Sequence, residues 1–262
     1  MNKNVIFYFS GTGNCLKLAK DIARELPGCE IVSMGRNHHC VLDGAYDSVG
    51  FVYPTYFVGL PLKVREFLLE LDFGANKEAY IYAVTTCGRT AGNALAQAAA
   101  LLGQRGMRLD YGNKIDMFSN YVVLYDMSKK VDEKTARSDK AAVPVIDDIK
   151  NKAARKTGGV NPLLEWYYKG KAKSIPAMDK GYTVSGKCVS CGICKEVCPV
   201  DNIALQDGKP VFKHHCEQCV ACIQYCPERA IDYKNKTQGR GRYTNPHIGY
   251  KELGAQGDGT HA

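Results

Sequence analysis

Eight of the twelve cysteines fall into two copies of one spacing, Cys188-x-x-Cys191-x-x-Cys194-x-x-x-Cys198-Pro199 and Cys216-x-x-Cys219-x-x-Cys222-x-x-x-Cys226-Pro227. A cubane iron-sulfur cluster needs four thiolates converging on a small metal core. Three Cys at i, i+3 and i+6 wrap one turn of chain around three of its irons, and the fourth thiolate comes from far away. In the bacterial two-cluster arrangement the fourth Cys of each run serves the other cluster. The spacing therefore predicts two 4Fe-4S clusters. One is assigned to Cys188, Cys191, Cys194 and Cys226, the other to Cys216, Cys219, Cys222 and Cys198. The proline after each run turns the chain away.

Two other chemistries use paired cysteines. A zinc ribbon closes one tetrahedral site with two Cys-x-x-Cys units and has no use for a third Cys three residues on. A disulfide framework suits a short secreted chain, whereas this one has 262 residues and no secretion signal at its start. In a reducing compartment Cys15, Cys29, Cys40 and Cys87 remain thiols.

A second constellation lies near the start. Ser10-Gly11-Thr12-Gly13-Asn14-Cys15 follows an apolar run and leads into a helical pattern. Small and hydroxyl residues there let several backbone N–H groups point at one anion on the positive end of a helix, which makes a phosphate cradle. The stretch lacks the third Gly of Gly-x-Gly-x-x-Gly and the Gly-Lys-Ser/Thr of a P-loop. Alone, it reads equally as a plain strand-to-helix turn. Two more loops follow strand-like runs, Pro54-Thr55-Tyr56-Phe57-Val58-Gly59 and Thr86-Cys87-Gly88-Arg89-Thr90-Ala91-Gly92-Asn93. Open α/β sheets bind ligands beyond the carboxyl ends of their strands, so the three loops define one crevice.

The elements that position these loops alternate short apolar runs with amphipathic ones, the pattern of a parallel sheet. Strands are expected over Val5–Phe9, Cys29–Ser33, Ser48–Tyr53, Ala79–Thr85 and about Asp110–Met117. Leu18, Ile22 and Leu26 share one helical face; Leu62, Val64, Phe67, Leu68 and Leu71 share another behind Pro61, and a third helix runs from about Asn93 to Gln104. Right-handed crossovers then give an α/β doubly wound sheet of about five strands. A last helix is expected over 131–155, kinked or split at Pro144.

Residues 157–181 hold Gly158-Gly159, Asn161-Pro162, Gly170 and Ile175-Pro176, which break every period, and are read as a linker whose Trp166-Tyr167-Tyr168 cluster packs on a domain surface. The cysteine-rich half is an internal duplication with pseudo-twofold symmetry. Val189, Ile193 and Val197 in one copy and Val220, Ala221 and Ile223 in the other are expected to keep water off the sulfurs. The expected division is 1–156, a linker 157–181, a second domain 182–253 and a flexible tail 254–262.

The stretch Phe7-Tyr8-Phe9-Ser10-Gly11-Thr12-Gly13-Asn14 resembles the FMN phosphate loop of flavodoxins. The loop at 54–59 resembles the one that lays an aromatic ring, here Tyr56, against the flavin, and the loop at 86–93 resembles the second flavin-edge loop. For Tyr56 a packed surface aromatic is the competing reading. With both cysteine runs, Cys216-Glu217-Gln218-Cys219 and the ending Gly241-Arg242-Tyr243-Thr244-Asn245-Pro246, nearly the whole chain is similar to the flavodoxin-ferredoxin fusion proteins common in anaerobes. That resemblance implies a flavodoxin-like domain followed by a small α+β two-cluster ferredoxin-like domain. It implies FMN held by Ser10, Gly11, Thr12, Gly13, Asn14, Cys15, Pro54, Thr55, Tyr56, Phe57, Thr86, Cys87, Gly88, Gly92 and Asn93. Cys15 departs from the pattern, since single-domain flavodoxins usually carry Thr there.

The net charge of +8 is concentrated, because residues 127–181 hold 13 Lys and Arg against 7 Asp and Glu. Anionic clusters and a flavin phosphate offset much of it, and no aromatic-interleaved basic patch points to nucleic acid. No long apolar run suggests a membrane span, and a cytoplasmic location is expected. His38-His39 and His214-His215 read as surface residues, and Cys87 as a packed thiol. The expected function is electron transfer between two clusters, FMN and a redox partner protein such as a ferredoxin, hydrogenase or reductase. The alternative is a reductase whose flavin acts on a small organic substrate over Tyr56 and the Cys87 loop.

Cys194→Ala should lose the first cluster and destabilise the C-terminal half, since cluster binding and folding are linked. Iron analysis returning the full complement would refute the ligand set. Thr12→Glu should expel FMN by setting like charge against its phosphate, and a mutant that stays yellow would refute the cradle.

Overall fold

The computed structural model describes residues 3–36, 40–127 and 130–255, so the His38-His39 pair and residues 256–262 of the expected tail lie outside the described residues. The chain runs β1 (Lys3–Tyr8), α1 (Asn14–Glu25), β2 (Cys29–Ser33), β3 (Tyr46–Pro54), α2 (Leu62–Glu70), β4 (Tyr80–Cys87), α3 (Ala94–Gln104), β5 (Tyr111–Asp116) and α4 (Val131–Lys150). It continues with α5 (Pro162–Ala172), a 3-10 turn (Pro176–Gly181), β6 (Tyr182–Val184), α6 (Ile193–Glu196), β7 (Ile203–Gln206), β8 (Lys209–Phe212), α7 (Ala221–Gln224), β9 (Ile231–Tyr233) and α8 (Tyr250–Gly254).

The first five strands form one parallel sheet in the order β2-β1-β3-β4-β5. This is the flavodoxin-like doubly wound order, whose switch point lies between β1 and β3. Side chains of a strand alternate between faces. Val5 and Phe7 join Phe67 and Leu68 of α2 and Leu101 and Leu102 of α3 in one core, while Ile6 and Tyr8 join Leu18 and Ile22 of α1 and Val145 and Ile149 of α4 in the other. Burial on both faces explains why these strands are continuous apolar runs.

Two expectations about helices need correction. α4 is continuous through Pro144, because Pro144 and Val143 face solvent, where water can satisfy the carbonyl that proline leaves without a donor. The supposed linker is ordered. Asn161-Pro162 starts a helix instead of breaking one: the Asn161 side chain accepts from the Leu163 and Leu164 N–H groups at 3.0 and 3.2 Å, and Pro162 sits in the first turn. Of the aromatic triplet only Tyr168 packs, donating to the Leu60 carbonyl at 2.7 Å, whereas Trp166 is 75% exposed. At the other end Gly254 is the buried last residue of α8, which corrects where the tail begins.

The C-terminal half pairs β6 with β9 and β7 with β8, both antiparallel. Its two halves are related by an offset of 28 positions, the step from Cys188 to Cys216. Backbone geometry obeys the same offset: Ser190 and Gln218 have φ of 60° and 53°, Gly192 and Val220 78° and 57°, Asp201 and Arg229 51° and 49°. One turn geometry is thus built twice, and only one of these six positions carries glycine.

The two halves share cores. Val197, Ala221, Ile248 and Leu253 extend the α1 side of the sheet, and Phe118, Val122, Val123 and Met127, from the segment after β5, enter the core around the cysteines. Polar contacts fix the docking. Arg36, just beyond β2, donates to the carbonyls of Lys195, Glu196, Cys198 and Gly254 and pairs with Asp201 at 3.0 Å. Glu217, between two cysteines, accepts from the N–H groups of Leu62 and Lys63 at 3.0 and 2.5 Å. It supplies from across the interface the cap that α2 lacks locally. Burial pushes its carboxyl up to about 7, against the lowering effect of those two donors.

Glu217→Ala leaves the first N–H groups of α2 buried without acceptors. It should lower stability to urea by about 1–3 kcal/mol, while Glu217→Gln, which keeps an acceptor oxygen, should lose less. Equal stability of both variants and the parent would show that the cap is dispensable.

Candidate redox centre

The two predicted cysteine sets are each gathered. Cys188, Cys191, Cys194 and Cys226 line one pocket, walled by Ile193, Leu205, Pro210, Pro227 and Ala230. Cys198, Cys216, Cys219 and Cys222 stand within electrostatic reach of one another. Burial first, and the neighbouring thiols next, push Cys222 well above the ordinary thiol range, and burial pushes Cys194 up to about 11. Thiols so placed ionise only when a cation takes up the charge, which a coordinating metal does outright. Among the described residues no three of His, Cys, Asp and Glu close on a single ion. Four converging thiols are the donor set of a 4Fe-4S cluster.

Backbone N–H groups already serve the sulfurs. Asn202 N–H donates to Cys198 Sγ at 3.3 Å and Ala230 N–H to Cys226 Sγ at 3.2 Å, again 28 positions apart, and Gln218 N–H donates to Cys216 Sγ at 3.2 Å. The two cages differ in exposure. Cys191 is exposed and Val189 is 62% exposed, so Val189 does not shield its cage as expected. Cys198 and Cys222 are buried, with Val220, Ala221 and Ile223 at 0–2% exposure around them. The first cage is an outer one and the second an inner one.

The inner cage abuts the Ser10–Cys15 loop. Gly13, at φ 92°, starts α1, and its N–H donates to Ser10 Oγ at 3.1 Å. The N–H groups of Gly11, Thr12, Asn14, Cys15 and Leu16 find no acceptor among the described residues, although all five residues are buried. Buried N–H groups are nearly always paired. Five of them in one loop at a helix N-terminus fit an anionic group such as a phosphate. A Cβ on Gly11 would stand 2.9 Å from both the Cys219 carbonyl and the Tyr56 hydroxyl; one on Gly13 would meet Ile248 and Asn245 at 2.9 and 3.0 Å. Glycine at these positions is what lets the C-terminal half close on the loop.

That closure is made by Asn120, which no sequence motif marks, together with Tyr243 and Asn245. Asn120 donates to Thr12 Oγ1 at 2.5 Å, Asn245 N–H to the Thr12 carbonyl at 2.8 Å, and Tyr243 and the Asn245 amide to Asn14 Oδ1 at 2.7 and 3.0 Å. The resemblance did flag Tyr243 and Asn245 as part of a familiar ending, but not their contact with the cradle. Thr12 and Asn14 thus spend their side chains on the chain itself, leaving the backbone N–H groups for the anion.

The other two loops lean on each other. Thr55 N–H donates to the Thr86 carbonyl at 2.8 Å, and Thr86 Oγ1 lies 3.2 Å from Cys15 Sγ, so the hydroxyl missing at position 15 is met from β4. Burial pushes the Cys15 thiol up to about 12. Phe57 and Val58 form a tight turn at φ 48° and 60°, strained backbone for a β-branched residue. It is held by Asn93 N–H on the Val58 carbonyl at 2.7 Å and by Gly92, where a Cβ would strike that carbonyl. Gly92 and Asn93 therefore brace the loop from behind, and the Asn93 side chain bonds to Asn161. Tyr56 turns inward, its ring edge-on to Phe9 at 6.3 Å, while Phe57 meets Tyr121 edge-on at 6.1 Å. Pro54 ends β3, and Gly88 is exposed. Cys87 donates to Asp116 at 3.4 Å; burial and then Asp116 push its thiol up to about 12, the behaviour of a packed cysteine. Of the paired histidines, His214 binds the buried Asp179 at 2.7 Å.

Residues 182–204 match the family model described as the 4Fe-4S binding domain. An uncharacterised ferredoxin of Methanocaldococcus jannaschii is 46% identical over 52 residues, 19% of this chain, and the match spans about a third (34%) of that relative's length. Among solved structures, a flavoprotein from Lactobacillus acidophilus in complex with FMN overlaps 44% of this chain and 93% of its own at 16% identity and a TM-score of 0.33. Rubredoxin oxygen:oxidoreductase from Desulfovibrio gigas overlaps 57% of this chain and 37% of its own at 15% identity and a TM-score of 0.36. The α/β assignment rests on the strand order itself. The C-terminal half carries a 4Fe-4S binding domain behind an open parallel sheet of flavodoxin-like order.

Proposed function

We propose that the protein is an electron-transfer flavo-iron-sulfur protein, passing electrons between two 4Fe-4S clusters and an FMN and on to a redox partner protein. The observation that carries this reading is the contact of Cys219 with the Gly11 loop, which sets the inner cage against the phosphate cradle. A cubane exchanges one electron and a flavin up to two, so this fusion joins one-electron to two-electron chemistry.

The chain's own residues supply the order of the path. Exposed Cys191 makes the outer cage the place where a partner protein exchanges electrons. Cys198 and Cys226 each belong to one run and serve the other cage, so the two cages are joined through covalent chain as well as packing. Val220, Ala221 and Ile223 exclude water from the inner cage, and the N–H groups of Gly11, Thr12, Asn14, Cys15 and Leu16 would hold the phosphate of the flavin. The loops that carry Thr55, Phe57, Thr86 and Cys87 stand beside the cradle, where the resemblance would lay the ring system of the flavin. The reading in which a small organic substrate lies over Tyr56 gains nothing from this geometry, since Tyr56 faces inward toward Phe9.

Anaerobic iron, sulfide and flavin analysis, followed by stepwise reduction with EPR and visible spectra, tests the proposal. About eight irons and one FMN, all reducing without added substrate, are expected. Four irons would overturn the two-cluster reading, and iron without flavin would overturn the FMN assignment.

A further inference from the structure

Arg242 lies in the segment that returns from β9 toward the cradle, and its guanidinium is poorly matched by the protein. Nη1 donates to the Thr237 carbonyl at 2.7 Å. Nε and Nη2 are buried and have no acceptor among the described residues. The nearby carboxylate of Asp232 is engaged by the Thr237 N–H at 2.8 Å and by the Thr237 hydroxyl. A second cation, Arg229, stands close by. Buried donors left unanswered are unfavourable. Native structures answer such donors with an ion, a water or a ligand.

The groups around the guanidinium say which. Besides Arg229 and Asp232, the neighbours within electrostatic reach are the sulfurs of Cys226 and then Cys222. In the ligand sets above, Cys226 belongs to the outer cage and Cys222 to the inner one. Cys226 Sγ already accepts the Ala230 N–H at 3.2 Å, and a thiolate with a cubane's sulfides behind it has capacity for more donors.

We propose that Arg242 tunes the outer cluster, its Nε and Nη2 donating to sulfur of the cluster held by Cys188, Cys191, Cys194 and Cys226. The inference rests on the two-cluster reading. Hydrogen bonds to sulfur and nearby positive charge both favour the more negative, reduced state, so Arg242 raises the potential of this cluster. Arg242 touches neither the cradle nor the flavin loops, which makes it a tuning residue whose removal need not disturb the anion site.

The test is an EPR-monitored redox titration of the whole protein carrying both clusters, with Arg242→Gln and Arg242→Lys beside it. Arg242→Gln should make reduction of one cluster at least tenfold less favourable, which is about 59 mV for a one-electron couple. The second cluster should move less, and Arg242→Lys, which keeps the charge, should fall between. Iron content should match the parent in both. A second measurement covers the case in which Arg242→Gln assembles poorly. Parent protein grown with guanidino-15N arginine should show 15N hyperfine coupling to the reduced cluster, absent from Arg242→Lys. Fully loaded variants with unmoved midpoints, or no 15N coupling in the parent, overturn the proposal alone. A parent that binds fewer than about eight irons fails the two-cluster reading, and the proposal falls with it.

Discussion

The packing of Cys216-Glu217-Gln218-Cys219 against the sheet's carboxyl edge is the contact on which the rest of the molecule depends. Four consecutive residues do four things. Cys216 and Cys219 contribute to the inner cage, Glu217 caps α2, and Gln218 accepts from Tyr182 at 2.7 Å inside the C-terminal core. The Cys219 carbonyl meets Gly11. A small cysteine-rich unit has little apolar area with which to fold, and metal binding usually supplies the deficit. Here part of the deficit is met by the sheet, through Arg36, Glu217 and the shared core around Val197, Ala221 and Leu253. The loop that carries Cys216 and Cys219 is thus also the loop that makes the interface.

Much of the site could be read from the chain because its chemistry is local. The cysteine spacing names its cofactor without any knowledge of the sheet, and the apolar runs of β1, β3 and β4 predict a parallel sheet because central strands bury both faces. Asn161-Pro162 is ambiguous in sequence. The same dipeptide breaks a helix from within and starts one from outside, and only the capped N–H groups of Leu163 and Leu164 distinguish the two. Pro144 does not break α4 because it lies on the exposed face, which its neighbours in sequence do not disclose.

What could not be read is the set of contacts made across long sequence separations. Asn120 on Thr12, Tyr243 on Asn14 and Glu217 on Leu62 each join residues more than a hundred positions apart. No periodicity encodes such pairs. The cage asymmetry was hidden for the same reason: Val189 and Glu217 occupy equivalent places in the two runs, yet one faces solvent and the other the sheet. A duplicated sequence predicts two equal cages, and docking on one side makes them unequal.

The strap from Tyr243 to Ile248 has a consequence for how the protein is made. It is synthesised after every element it covers, and the sheet half, with its local βα units, is positioned to fold while the strap is still absent. A sheet half folded without the strap would leave the N–H groups of Gly11, Thr12, Asn14, Cys15 and Leu16 uncovered on the side that Asn245 and Ile248 close. Once Asn245 reaches Thr12 and Ile248 settles against Gly13, the same loop is sealed. An anion would therefore have a more open route to the cradle before the strap closes than after it.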